Sequence, residues 1–301
     1  MRALVVGGSG FVGSHVADAL SDAGHETTIF DLVRSPYLRP EQRFRPGSIE
    51  DFDQVLAAVE GQQVVYNFAG IADIDVSRSR PLDTVAVNVR GCVHVLEACR
   101  RAGVHRHVLA SSIYVASQTG SFYRVSKQAC ELYVEEYQRE FALASTILRY
   151  GTLFGRRADD HNSVHRYLRQ ALEDRRVVAD GTGDELREYI HVEDAARLSI
   201  EILADEFAGE QVVLTGHHPM RYRDLLTLIR EVVGDDVEIE FRPPGSDANA
   251  AASAHYAITP YSFRPKVARK LVSSYYIDLG QGLLDCLDEI HERGVGHELK
   301  A

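Results

Sequence analysis

Tyr123 and Lys127 stand four residues apart in the stretch SFYRVSKQAC, residues 121–130. Lysine is scarce in this chain: four, at positions 127, 266, 270 and 300, against 29 arginines. On a helix, side chains at i and i+4 share a face. A phenol is a poor base at its ordinary pKa of about 10, and an ammonium held beside it favours the phenolate. The pair is therefore suited to taking a proton from a carbinol. Solvated helix faces also carry such spacings, so the pair acquires chemical meaning only from its surroundings.

The first thirty residues supply those surroundings. RALVVGGSG reads as a short buried strand, Ala3 to Val6, entering a glycine turn. Gly7, Gly10 and Gly13 follow at spacings of three. FVGSHVADALSDAG then places Val12, Val16, Ala19 and Leu20 at helical intervals, with Gly24 suited to a C-cap. HETTIFDL reads as a second strand ending at Asp31. Glycines between a strand and a helix let the backbone approach a pyrophosphate, and the helix N-terminus offers it free N–H groups. Asp31 lies 18 residues after Gly13, where an acidic residue accepts from ribose hydroxyls and repels a 2′-phosphate. NAD is expected rather than NADP; Arg34, three residues on, is the one feature favouring the phosphorylated cofactor. A glycine-rich turn holding no ligand is the plain alternative.

The remaining elements must position these groups. Strand-like runs at 64–69, 107–112 and 144–150 alternate with helical patterns at 51–60, 83–102 and 123–141. This α/β alternation predicts a doubly wound parallel sheet. After about residue 155 the pattern loosens. RVVADG and EQVVLTG alternate with helices near 161–175, 193–206, 221–233 and 280–293, and RPPGSDANAAASA (242–254) reads as a flap over a cleft. The composition is 45% hydrophobic and 26% charged, with net charge −11, which argues against non-specific nucleic-acid binding. Cys92, Cys99, Cys130 and Cys286 form no CxxC pair and no metal-ligand spacing, so no metal is expected. Without an apolar run near the ~18 residues of a membrane span, or a signal-like N-terminus, a cytoplasmic protein with no membrane partner is expected.

VVGGSGFVGSH, NFAG, NVRG, ASSIYVAS, YRVSK, LRYGTLFGRR and REYIHVEDAA occur in this order. The chain thereby resembles the extended short-chain dehydrogenase/reductase family, most closely its NAD-dependent sugar-nucleotide epimerase/dehydratase branch. The resemblance covers nearly the whole chain and is weakest after residue 240. It implies a Rossmann NAD domain over 1–155 plus part of 185–215. A smaller C-terminal α/β lobe for a nucleotide-diphosphate sugar, mainly 156–301, is implied too, with a cleft between the two. By the same resemblance Ser112, Tyr123 and Lys127 are the catalytic set, with Ser112 and Tyr123 also touching substrate. Phe11 and Val12 would offer amides to the pyrophosphate beside Gly7, Gly10 and Gly13. Asp31 and Leu32, Ser48 and Ile49, Phe68, Ala69 and Gly70, Asn88, Tyr123, Lys127 and Tyr150 would complete the cofactor contacts. Thr152 and Arg187 would bind substrate, Arg187 gripping the diphosphate through its fork. Arg156 and Arg157 are weaker candidates, and His191 and Asp194 are expected to be structural.

Ile113 and Tyr114 stand where the 4,6-dehydratases of this branch carry an Asp-Glu pair, and its decarboxylases also use a Glu there. What remains suits 4-epimerisation through a transient keto-sugar. Dehydrogenase or reductase chemistry is the runner-up, followed by a dehydratase and by a non-catalytic dinucleotide-binding protein. Only ten residues separate Ser112 from Tyr123, fewer than the branch usually carries, which leaves room for a larger or unusual sugar. Gly151 and Thr152 replace an aromatic and an Asn. Tyr261, Arg264 and Lys266 either bind phosphate or enter a packed helix. Helices 83–102 and 124–141 match the pair forming a homodimer interface in the family, of which exposed apolar residues such as Val93 and Tyr133 would be the mark.

Overall fold

The computed structural model describes residues 1–242 and 268–298. The expected flap beyond Arg242, and Tyr261, Arg264 and Lys266, lie outside the described residues. In chain order the first elements are β1 (Arg2–Val6), α1 (Phe11–Asp22), β2 (Glu26–Asp31), β3 (Arg43–Pro46), α2 (Phe52–Val59), β4 (Val64–Asn67), α3 (Ile74–Ser79), α4 (Pro81–Thr84), α5 (Gly91–Ala102), β5 (Arg106–Ser112), α6 (Ser121–Phe141) and β6 (Ser145–Tyr150). There follow β7 (Thr152–Phe154), α7 (Ser163–Glu173), β8 (Arg176–Asp180), β9 (Leu186–Arg187), β10 (Tyr189–His191), α8 (Val192–Glu201), β11 (Gln211–Leu214), β12 (Met220–Arg221), α9 (Tyr222–Val233), β13 (Glu238–Arg242), β14 (Arg269–Lys270) and α10 (Leu279–Glu298). Among the described residues, no helix is long and apolar enough to cross a membrane.

The chain divides into two compact units. The first holds Met1–Tyr150, Ala195–Leu214 and residues 268–271. Its eight strands form one sheet in the order β14-β11-β6-β5-β4-β1-β2-β3, and every neighbouring pair is parallel. This is a Rossmann sheet. The reason lies in the strand sequences. A parallel sheet is covered on both faces, so its strands are buried on both sides rather than on alternate residues, and β1 reads as an apolar run. Leu4, Val5 and Val6 are at most 1% exposed, and all seven residues of β5 are buried. Leu4, Val6, Val65 and Leu109 from the strands pack with Val55, Leu96, Cys99 and Val134 from the helices.

Local signals set the element ends. Gly24 has φ 78°, and His25 N donates to Leu20 O as Gly24 N donates to Ser21 O, closing α1 in a left-handed turn. The single helix expected over 83–102 is a different object. It begins at Pro81, where the missing N–H costs nothing, and widens into a π-helical turn at Val85–Arg90 before α5. β3 and α3, too short for a periodic signal, were not expected.

The second unit holds Gly151–Asp194, residues 215–242 and 272–298. β8 pairs with β13 and β7 with β10, both parallel, while β9 pairs with β12 antiparallel. Phe154, Leu168, Tyr222, Leu226 and Leu283 lie in its core. The LGQGL stretch has a packing cause: a Cβ on Gly282 would come within 2.6 Å of the Phe154 ring.

Candidate active site and cofactor cradle

The turn after β1 is built for close approach. Gly7 has φ 78°, and a Cβ there would sit 2.4 Å from Ala69 N; one on Gly13 would sit 2.3 Å from Gly7 O. Those two glycines pack α1 down onto β1 and the end of β4. Gly10 differs: a Cβ on it would meet nothing nearer than 3.5 Å, so its bare backbone leaves space over the helix end. Gly10 is the N-cap of α1 and no side chain caps it, which leaves the first amides of the helix for a ligand.

Beside this turn lies a cavity of about 470 Å³. Of the residues expected to hold the cofactor, Gly7, Gly10, Asp31, Leu32, Ser48, Ile49, Phe68, Ala69 and Gly70 line it. Phe11, Val12, Gly13, Asn88, Tyr123, Lys127 and Tyr150 do not. Val6, Phe30, Gly47, Glu50, Ile71, Arg80 and Val87 also line it and were missed. Arg80 is the one cation among them. Its position before a proline carried no signal, because the chain between Gly70 and Pro81 has no clear period.

Asp31 ends β2 with its carboxylate held by two amides: Ser9 N donates to Oδ2 at 3.0 Å and Leu32 N to Oδ1 at 2.7 Å. The carboxylate is thereby locked to the glycine turn, with lone pairs left for other donors. Ser48 Oγ accepts from Glu50 N at 3.2 Å, and Ser48 N donates to Gln54 Oε1 at 3.0 Å.

β5 and α6 build the second half of the site. Ser112 ends β5 and caps the 3₁₀ turn Ile113–Ala116, its Oγ accepting from Tyr114 N at 3.2 Å. Bonded that way, the hydroxyl keeps its own proton to give. The chain enters α6 through two left-handed residues, Gly120 (φ 102°) and Ser121 (φ 50°). A Cβ on Gly120 would come 2.9 Å from the Tyr114 ring, and that ring meets Tyr123 edge-on at 6.4 Å. The short connection from Ser112 thus brings Tyr123, in the first turn of α6, back onto Tyr114. Lys127 is 6% exposed; its Nζ donates to Ala110 O in β5 at 2.8 Å and lies 5.9 Å from the Tyr123 ring centre. A Cβ on Gly70, which lines the cavity, would be 3.7 Å from that Nζ. The lysine therefore links the cradle to the Tyr123 side of the site.

Asn88 sits in the π turn, buried, and spends its amide on the protein. Oδ1 accepts from Ile71 N at 2.7 Å; Nδ2 donates to Ile71 O at 3.0 Å and Ser126 Oγ at 2.9 Å. It clamps the cavity wall to α6. Tyr150 Oη lies 2.6 Å from Ser199 Oγ, and burial pushes its phenol well above the ordinary range.

The other sequence candidates lie in the second unit. Thr152 starts β7 and is half-buried. Arg187 is buried, its guanidinium 4.6 Å from the centre of the Tyr222 ring. Arg156 pairs with Glu292 at 2.8 Å, and Arg157 N donates to Glu289 Oε2 at 2.7 Å. Asp194 accepts from Ile277 N at 2.8 Å. His191 is buried against the Phe154 ring at 5.3 Å, and burial lowers its pKa.

Residues 3–215 match the sequence profile of the NAD dependent epimerase/dehydratase family. The chain belongs to that family. Its cofactor is accordingly NAD. UDP-glucose 4-epimerase from Corynebacterium glutamicum is 25% identical over 302 residues, 88% of this chain and 91% of its own length. The dTDP-D-glucose 4,6-dehydratase of Mus musculus is 25% identical over 260 residues, 76% of this chain and 73% of its own length. The crystal structure of Thermus thermophilus UDP-glucose 4-epimerase in complex with NAD matches with TM-score 0.79 at 25% identity, covering 97% of this chain and 99% of that one.

The residues present fit NAD. Bare backbone at Gly10 and uncapped helix amides suit a pyrophosphate, and Arg80, whose Nε donates to Asp83 Oδ2 at 2.7 Å, lines the cavity beside them. The fixed Asp31 carboxylate suits a ribose diol and repels a 2′-phosphate.

Proposed function

We propose that the protein is an NAD-dependent epimerase of nucleotide-diphosphate sugars acting at C4, with Ser112, Tyr123 and Lys127 as its catalytic residues. The observation that carries the reading is the β5–α6 junction. There Ser112 ends β5, Lys127 Nζ donates to Ala110 O of the same strand, Tyr123 meets the Tyr114 ring, and the two positions after Ser112 are Ile113 and Tyr114. A dehydratase needs carboxyl groups there to move further protons; an isoleucine and a tyrosine leave only the carbinol chemistry.

The proposed roles are these. Phe11 and Val12 offer amides to the cofactor pyrophosphate, Asp31 takes the adenosine ribose, and Ser48 and Ile49 flank the base. Bound NAD supplies reversible hydride acceptance. Tyr123 removes the hydroxyl proton at its Oη and later gives it back. Ser112 Oγ, held by Tyr114 N, donates its hydrogen bond to the reacting oxygen. Lys127, anchored on Ala110 O, places positive charge by the phenol. With NAD bound, the hydride taken from C4 would return to its other face by way of a transient 4-keto sugar, leaving no net NADH. Arg187 and Thr152 contact the nucleotide diphosphate sugar.

The test incubates the purified protein with UDP-, GDP-, CDP- and dTDP-sugars in D₂O and follows proton NMR. A new stereoisomer without deuterium at the inverted carbon is the expected result. Deuterium at a neighbouring carbon would mean an enolising route. Net reduction of added NAD⁺ without isomerisation would make it a dehydrogenase.

The same reading includes a homodimer. One face of α6 shows Val125, Leu132 and Tyr133, 44–54% exposed, an apolar stripe that a second copy would cover. Val93 on α5 is half-buried.

A further inference from the structure

Tyr123, Lys127 and Glu131 recur every four residues and share one face of α6. Glu131 is 2% exposed. Its Oε1 accepts from Ser111 Oγ at 2.6 Å and from Arg149 Nε at 2.9 Å, and its Oε2 accepts from Arg149 Nη2 at 2.7 Å. Ser111 and Arg149 are register partners on β5 and β6. Arg149 Nη2 also donates to Gln211 Oε1 on β11 at 2.6 Å, and Gln211 Nε2 returns to Glu135 of α6 at 3.0 Å. One helix is thus tied by directional bonds to three adjacent strands, and Ser111 immediately precedes Ser112.

Burying a charge pair is an expensive way to hold a helix. Apolar side chains of similar volume commonly do it as well or better. What the fork adds is direction. An apolar contact tolerates small slides and rotations, whereas a bidentate carboxylate–guanidinium pair weakens as soon as its lines bend. Proton transfer between Tyr123 and a sugar hydroxyl needs placement to within about 0.5 Å. Tyr123 lies about 12 Å along the helix from Glu131, at about 1.5 Å per residue, on a rigid rod that transmits any shift.

We propose that Glu131, clamped by Arg149 and Ser111, is a positioning residue that fixes the height and rotation of α6 so that Tyr123 and Lys127 stand in register with Ser112. The inference rests on the reading of Tyr123 as the base. It assigns to Glu131 no contact with substrate.

The test uses Glu131→Leu/Arg149→Leu, which removes both charges together, with Tyr123→Phe as reference. Protein carrying ¹³C-labelled tyrosine gives a ring resonance for Tyr123, identified by its loss in Tyr123→Phe. The double variant is expected to fold cooperatively and bind NAD within about 3-fold of the parent, yet to shift that resonance. With UDP-glucose as the probe, kcat falls roughly 10–100-fold while KM changes little. An unmoved resonance with unchanged kcat overturns the proposal and leaves Glu131 a structural residue. Should the double variant not fold, Ser111→Ala removes one bond and keeps the ion pair. It is expected to shift the same resonance and lower kcat about 3–10-fold, and no change in either overturns the proposal. Full activity in Tyr123→Phe overturns the base assignment and this inference with it. Loss of activity there beside an unimpaired double variant overturns this inference alone.

Discussion

A tyrosine, a lysine and a serine are ordinary residues until each is held. Here Lys127 is held by Ala110 O, Ser112 by Tyr114 N and Tyr123 by the Tyr114 ring. Removing the phenolic oxygen alone, as in Tyr123→Phe, is expected to lower kcat by roughly 10²–10⁴. NAD affinity and melting temperature should stay near those of the parent, because the ring contact with Tyr114 survives; steady-state kinetics beside NAD titration checks the split. His107 teaches a different lesson. It is the second residue of β5, fully buried, with neither ring nitrogen hydrogen-bonded among the described residues. Burial lowers its pKa from 6.5 to about 3. The unfolded chain therefore binds a proton that the folded chain refuses, and this residue's share of stability is lost as pH falls from 6.5 towards about 3. The slope is at most about 1.4 kcal/mol per pH unit. In urea unfolding curves across that window, His107→Leu should flatten the pH dependence; an identical slope in the variant would refute it.

At the scale of elements, the helix from Pro81 to Ala102 matters most. Its π turn places Asn88 where one side chain holds Ile71 of the cavity wall and Ser126 of α6. An Asn inside a helix is a poor choice by propensity; the three bonds supply its reason. Asn88→Ala leaves the Ile71 amide and carbonyl without those partners, at a cost of about 1–3 kcal/mol. It should also weaken NAD binding, because Ile71 and Gly70 line the cavity. Denaturation and NAD titration of the same variant check both halves, and destabilisation with unaltered NAD affinity would refute the second. The residue pattern pointed to the helix and its polar residue. It did not point to the π turn at Val85–Arg90.

For the whole molecule two outcomes are expected in solution. NAD at about 100 times its Kd should stabilise the protein by about 2.7 kcal/mol and raise the melting temperature, whereas NADP at equal concentration should not, since the Asp31 carboxylate would repel its extra phosphate. Equal shifts with both cofactors would remove Asp31 as the selector. Light scattering should report two chains per particle, and Leu132→Arg/Tyr133→Arg should report one while still binding NAD. A monomeric parent would leave the α6 stripe without the proposed partner.

The sequence by itself determined the βαβ opening, the glycine turn and Asp31 at the end of β2, because these depend on residues near one another in the chain and on short-range backbone geometry; the family was legible as a resemblance, from motifs occurring in order along nearly the whole chain. The apolar runs of β1 and of Val64–Tyr66 in β4 were legible too, because burial on both faces favours apolar side chains there. The tertiary structure alone decided that Arg80 and Glu50 reach the cavity, that Asn88 serves Ile71, and that Glu131 meets Arg149 and Ser111. Those partners lie far apart in sequence or on unpatterned loops, and no periodicity encodes which distant strand a side chain will touch. Hydrogen-bond direction and burial of charge are properties of the assembled sheet and helices, and they become definite only when the core has closed.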